Sequence, residues 1–333
     1  MMLHLRGVVA DLRVIGLLGI VTLLFACHTP VIEQAFPDQS LNLITPWEAG
    51  STGDAASQGV ALALSRELEQ SVEVVNRSGA NGIYSHAAIL NSQSDGYTLG
   101  ILSVESTINH WTGITSVNYS RYTPIALMAV HPGAITVRYD APWQNIHDLV
   151  ATLAEKPGSL TASGTYYGGI WDLNRIGFLE AAGLDPSVLL WQPSSGATAA
   201  LNELIIGNVE VIFTSFNDVD SLHTVGHVRT LSVMSNRRVP SAPSIPTLKE
   251  LGFNYASDGQ WLVIVAPTGL PNARIELLRV ALWNISKKTE VRRSFALAGF
   301  QPYFLTGSAL TSFLEEENML NGMLVDRAGL SLQ

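Results

Sequence analysis

The chain has 333 residues, with 28 Asp+Glu against 19 Lys+Arg and a formal net charge of −9. That length suits two domains of ordinary size, and 47% hydrophobic residues supply substantial cores. The acidic balance, with no basic cluster anywhere, argues against a nucleic-acid partner.

The first thirty residues differ from the rest. Arg6 and Arg13 precede an apolar run, Val14 to Phe25, too short for a comfortable membrane span. A basic start, an apolar middle and small Ala26 before Cys27 describe an export signal over 1–26. Leu24-Phe25-Ala26-Cys27 resembles the bacterial lipoprotein box, which makes Cys27 the expected lipidated residue of an exported protein, periplasmic or at the cell surface. Cys27 is the sole cysteine, so the folded body carries no intrachain disulfide. Residues 27–40, with two prolines and mixed polarity, read as a tether.

From there strands and helices alternate. "LNLIT" reads as a strand, and Ala55 to Gln70 carries Val60, Leu64 and Leu68 at helical spacing. "VEVVN" is the next strand, followed by Gly79 and Gly82 and a helical "SHAAILNS". "DGYTLGIL" closes a third unit. The same plan continues through "GAITVRY", the helix "IHDLVATLAEKPG", "SLTASG", the helix "LNRIGFLEAAG" and "SVLLWQ". "VEVIFTS" and "VRTLSVMS" supply two more strands, and after a proline-rich loop comes "GQWLVIVAP", with helices to the end. Alternation of this kind implies parallel α/β sheets. In open α/β sheets, ligands sit beyond the carboxyl ends of the strands. Two sheets facing each other make a cleft.

The usual catalytic motifs are absent: no GxSxG, HExxH, GxxxxGK[ST] or GxGxxG opening a helix occurs. His223 and His227, with Asp218 and Asp220 upstream, have metal-ligand spacing, but Gly226 interrupts that helix end and no third ligand is obvious. Nothing in the sequence brings Ser163, His86 and Asp54 together as a triad. No metal, no cofactor and no enzymatic activity are expected. The positive signal is four loops, "AGSTGD", "SGANG", "SGTYYGG" and "PSSGAT", each opening a helix. Amides at a helix N-terminus bind anions without Lys or Arg, and these loops add hydroxyls. Taken singly, each reads equally as a tight turn with a cap, Asp54 being a good capping residue.

These residues resemble the substrate-binding receptors of tripartite tricarboxylate transporters, the Bug-type extracytoplasmic receptors, from about Pro37 onward. "PWEAGSTGD" is similar to the family's Pro-aromatic-x-x-Gly-Gly-x-x-Asp at Pro46, Trp47, Gly50 and Asp54. "NRSGANG…SDGYTL" is similar to Asn-Arg-Pro-Gly-Ala-Gly-Gly…Asp-Gly-Tyr-Thr-Leu. "PSIPTLKELG" and "QWLVIVAPTGLP" complete the set, in the family's order. The resemblance implies a two-domain periplasmic-binding-protein fold, type II-like, with a ligand cleft between the domains. Domain 1 is expected over 41–137 plus 261–333 and domain 2 over 138–260, with crossovers near Val137 and Trp261. The implied ligand is a small organic anion, a mono- or dicarboxylate or related compound. The implied partners are permease subunits and, through the lipid, the membrane, the receptor itself being a monomer. A sensor feeding a signalling partner is the alternative, and an exported hydrolase a more distant one.

Carried over residue by residue, the resemblance implies a site of Trp47, Glu48, Gly50, Ser51 and Asp54, with Ser103 and Glu105. From the second domain come Ser163, Gly164, Thr165, Gly196, Ala197 and Thr214. Several positions depart from the pattern. Ser51 stands for a glycine, Gly168-Gly169 and Asp172 for Gly-Thr and a nearby His, Ser194-Ser195-Gly196 for Tyr-Lys-Gly, and Thr214 for an aspartate. Glu48 and Glu105 add acids where the cleft is expected, which speaks against a ligand with several negative charges.

Overall fold

The fold is built on strand–loop–helix units, and the computed structural model describes residues 36–331. Leu41–Thr45 (β1) buries all but one of its residues, and the chain then turns through Pro46–Gly50 into Thr52–Leu68 (α1). Ser51 caps that helix by accepting from the Asp54 amide at 3.2 Å, and Glu69 ends it in the left-handed conformation. Val72–Asn76 (β2), Ile83–Leu90 (α2) and Thr98–Leu102 (β3) follow. Then come Tyr122–His131 (β4) and Gly133–Arg138 (β5). The middle of the chain runs Ile146–Glu155 (α3), Leu160–Ser163 (β6), Ile170–Ala181 (α4), Leu189–Gln192 (β7) and Ala197–Ile206 (α5). After Val211–Ser215 (β8), Phe216–Thr224 (α6) and Val228–Val233 (β9), the chain reaches Gln260–Pro267 (β10). Asn272–Ser286 (α7), Thr289–Leu297 (α8), Gln301–Leu305 (β11) and Gly307–Arg327 (α9) complete it.

Two sheets result, ordered β11-β4-β10-β3-β1-β2 and β7-β6-β8-β5-β9. Both are mixed rather than parallel. β1 pairs in parallel with β2 and β3, but β10 runs antiparallel to β3 and β4. In the second sheet β6 is parallel to β7 and β8, and β5 is antiparallel to β8 and β9.

β4 and β11 are additions to the elements the sequence suggests, and proline hides both. Pro124 lies inside β4 but pairs with Val265 at a register irregularity, the kind of place where a strand tolerates proline. Pro302 lies on β11, an edge strand of the sheet.

The first crossing between the sheets also falls earlier than the expected Val137. β4 belongs to one sheet and β5 to the other, so the chain changes sheet at Pro132, and Val137 pairs inside the second sheet with Val211 and Arg229. Proline cannot extend the ladder and so ends the strand there. The return comes at Gly259–Gln260, one residue from the expected Trp261. The two crossings lie side by side: His131 and Gly259 form a β-bridge. Both pack on one indole. A Cβ on Gly133 would lie 2.9 Å from Trp171, and one on Gly259 would lie 3.0 Å from it and closer still to the His131 carbonyl, so both positions call for glycine.

A continuous apolar cluster runs under both sheets, from Ile44 and Leu102 through Trp171, Phe178 and Phe213 to Trp261, Leu314 and Val325. A second one, with Ala134, Leu204, Phe216 and Val239, fills the other face of the second sheet.

Candidate functional site

The loops after β1, β2 and β3 meet loops of the second sheet around a cleft of about 440 Å³. Its first wall is Pro46, Trp47, Glu48 and Ser51, its floor Ser78, Gly79, Asn81, Gly82, Ser103 and Glu105, and its far wall Tyr166 and Ser195.

Each wall is braced from behind. Asp54 sits in the first turn of α1 and accepts from the Gly50 amide at 2.9 Å. Its other oxygen accepts from Asn76 Nδ2 at 2.8 Å, and the same amide nitrogen also donates to the Trp47 carbonyl at 2.9 Å. Asp54 and Asn76 thus clamp the loop that carries Trp47 and Glu48. Gly53 makes room for the Trp47 ring, which would overlap any Cβ there. The floor loop is unusual: Gly79, Ala80, Asn81 and Gly82 all have positive φ, including two residues with side chains. Such backbone costs on the order of 1–3 kcal/mol per non-glycine residue and persists where surroundings hold it. Asn109 Nδ2 does so by donating to the Asn81 carbonyl at 2.9 Å.

The far wall rests on a buried ion pair. Asp172 is fully buried and accepts from the Gly168 amide at 3.0 Å, which fixes the loop carrying Tyr166. Arg175 donates to Asp172 through Nε at 3.0 Å and Nη2 at 2.7 Å. It also donates to the Pro186 and Leu189 carbonyls at 2.6 and 2.9 Å.

The electrostatics of the cleft are one-sided. Glu48 and Glu105 are its charged lining residues, and neither Lys, Arg nor His is among the described residues that line it. Gln260 Nε2 donates to Glu105 at 2.8 Å. Burial, and then the charge of Glu105, push the Tyr166 phenol above the usual tyrosine range. Behind Gly82 lies His86, and burial depresses its pKa to about 4, so it adds no positive charge at neutral pH. The available donors are backbone: helix geometry leaves the first amides of α1, beside Ser51, without intrahelical acceptors, and only that of Asp54 is taken by the Ser51 hydroxyl.

Of the thirteen expected ligand-binding positions, Trp47, Glu48, Ser51, Ser103 and Glu105 come together in the cleft lining. Asp54 and Gly50 form the brace behind it. Ser163 lies in β6 and donates to the Gln192 carbonyl at 2.7 Å, and Thr214 lies in β8 and donates to the Ser215 carbonyl at 3.2 Å. A Cβ on Gly164 would collide with the Phe213 carbonyl, so that glycine serves close packing. Thr165 Oγ1 is buried without a partner, while its carbonyl accepts from Ser194 N at 3.0 Å. Gly196 and Ala197 open α5 one residue beyond Ser195. Ser78, Gly79, Asn81, Gly82, Tyr166 and Ser195 join the lining without having been named as ligand residues. Their signal was present in "NRSGANG", "SGTYYGG" and "PSSGAT". Among the described residues no group of three or more acids, histidines or cysteines is placed to hold a metal ion.

The family model described as tripartite tricarboxylate transporter family receptor matches residues 57–330. The chain belongs to that family. The receptor is 24% identical to Protein BugT of Bordetella pertussis over 325 residues, 96% of this chain and 99% of that protein. A TctC solute binding protein from Polaromonas, solved without ligand, is 27% identical, superposes with a TM-score of 0.79, and is matched over 88% of the receptor and 99% of its own length. An R. palustris protein solved with adipate shares the fold at 22% identity and a TM-score of 0.73, over 89% of the receptor and 99% of that chain. Family and fold are thus those of periplasmic solute-binding receptors. Among the described residues no helix is long and apolar enough to cross a membrane. Cys27 and the export signal lie outside the described residues.

Proposed function

We propose that the receptor captures a small organic acid in the cleft and delivers it to permease subunits of a tripartite transporter. The ligand carries one or two carboxylates together with an amine or neutral polar group. The observation that carries this is the cleft lining: two glutamates and, among the described lining residues, no cationic side chain, beside serine hydroxyls and the opening turn of α1, which suit an anion. An amide-and-hydroxyl wall suits one carboxylate, whereas Glu48 and Glu105 repel further negative charge and attract an ammonium group. The R. palustris neighbour solved with adipate supports a carboxylate ligand in this fold. The thirteen positions from the sequence remain the proposed ligand set, with Tyr166 and Ser195 added from the far wall. The two sheets act as two lobes that close on the ligand about Pro132 and Gly259–Gln260.

Calorimetry with citrate, a dicarboxylate, a monocarboxylate and an amino acid tests the reading. Citrate is expected to bind at least tenfold more weakly than the best of the others, and Glu48→Gln with Glu105→Gln should narrow that gap. Tight citrate binding, unchanged in both variants, would refute it.

Lipidation at Cys27 ties the receptor to the membrane beside its permease. When Cys27→Ser is expressed in a bacterial host, the receptor should move from the membrane fraction to the soluble exported fraction. Unchanged membrane association would remove the anchor from the proposal.

A further inference from the structure

Beside the crossings lies a second pocket, of about 230 Å³, that the receptor function does not use. One side is built from the first sheet: His131 at the end of β4, Ala296 and Gly299 around the end of α8, and Phe300. The other side is built from Phe216, Asn217 and Asp220 of α6 and from Val239–Ser241 beyond β9. Its walls are mostly aromatic, aliphatic and proline side chains. Such walls take an apolar body.

Its polar groups are few, and one of them is unspent. His131 is 91% buried, being 9% exposed, and its Nε2 has no hydrogen-bond partner. That nitrogen lies 2.8 Å from where a Cβ on Gly299 would be, and Asn217 Nδ2 lies 2.7 Å from the same point. Glycine at 299 therefore lets the His131 and Asn217 side chains pack against the backbone at one edge of the pocket, where a Cβ would collide with both. A buried, unpaired polar group costs about 1–3 kcal/mol, which a ligand atom would recover. Burial holds the imidazole below its ordinary pKa, opposed by the nearby charge of Asp218. Asp220 is the one charged side chain among the described lining residues.

We propose that this pocket is a second binding site, for a small primary amine with an aromatic or alicyclic body. The ammonium group pairs with Asp220 and donates to the unpartnered Nε2 of neutral His131, and the ring lies among Phe216, Phe300 and the prolines. An anion is disfavoured because Asp220 has no cationic partner in the wall. The pocket also shares a wall with the cleft. The Phe300 ring lies 4.8 Å from that of His131 and 5.9 Å, edge-on, from that of Trp47. A molecule packed on Phe300 thus bears on the residue that opens the cleft's first wall.

Benzylamine, benzyl alcohol and benzoate serve as probes in calorimetric titrations of the exported, full-length body. Benzylamine is expected to bind at least tenfold more tightly than the other two. Asp220→Asn should weaken it at least tenfold, and Ala296→Trp, at the exposed rim, should abolish binding while thermal unfolding stays cooperative. Binding should persist in the Glu48→Gln, Glu105→Gln double variant, which separates this pocket from the cleft. The proposal is overturned if benzylamine binds no better than benzoate. It is overturned equally if its affinity survives both Asp220→Asn and Ala296→Trp, or disappears only when the cleft glutamates are changed.

Discussion

Replacing Glu317 by Gln should stabilise the receptor at alkaline pH and leave it unchanged in acid. Glu317 lies on α9, 8% exposed, and accepts one hydrogen bond from Trp261 Nε1 at 3.3 Å. Burial, and after it the charge of Asp258, push its pKa from 4.5 to about 8, and Glu316 adds to the effect. Burial also raises the pKa of Asp258, opposed by the charges of Arg237 and of Lys249, which lines the same pocket. The unfolded chain releases the Glu317 proton near pH 4.5, whereas the folded chain keeps it to about 8. Between those values the folded state binds more protons, so stability falls as pH rises and levels off above 8. At 1.36 kcal/mol per unit the loss is on the order of 3–5 kcal/mol. Glutamine still accepts from Trp261 and carries no charge. Melting temperatures at pH 4 and pH 9 should therefore converge in Glu317→Gln, with a gain of several degrees at pH 9. Parallel pH profiles for parent and variant would show that Glu317 is not the group responsible.

The second large effect is expected at Arg175. Its guanidinium makes four hydrogen bonds and lies 5.7 Å from the centre of the Trp191 ring, with only 7% of the side chain exposed. Arg175→Met leaves the Asp172 carboxylate buried and unpaired, and also strands the Pro186 and Leu189 carbonyls. Breaking a buried pair from one side costs about 3–5 kcal/mol. Removing both charges costs less, so Asp172→Asn with Arg175→Met should be more stable than Arg175→Met alone by about 1–3 kcal/mol. Urea unfolding of the single and double variants measures this. Equal stabilities for the two would show that the unpaired Asp172 carboxylate carries no penalty. Because Asp172 also holds the Gly168 amide, the single variant should loosen the loop that carries Tyr166 into the cleft.

The alternation of strands and glycine-rich helix openings was legible in the sequence because each such unit is local: apolar periodicity, a cap and a turn lie within a few residues of one another. β4 and β11 were hidden because Pro124 and Pro302 argue against strands unless a bulge or an edge is known, and both are set by distant partners. The first wall of the cleft was legible for the same local reason, Trp47, Glu48 and Ser51 being adjacent in one loop. Ser163 and Thr214 lie at strand ends, and which way a hydroxyl turns there depends on the neighbouring strand. Glu317 was the least legible. In "LEEEN" it reads as one acid among three on a solvated face, and only the packing of α9 over Trp261 takes it from water.

The pair of glycines against Trp171 has a consequence for how the receptor moves. Two adjacent strands bridged at His131 and Gly259 resist sliding past each other, and the indole wedged beneath both leaves no slack for a sideways shift. In the proposed closure, what remains is turning about a single axle. The proposed second site lies beside that axle, so such a turn would change its width together with that of the cleft. On the proposed closure, such a receptor would report ligand capture as a single angle.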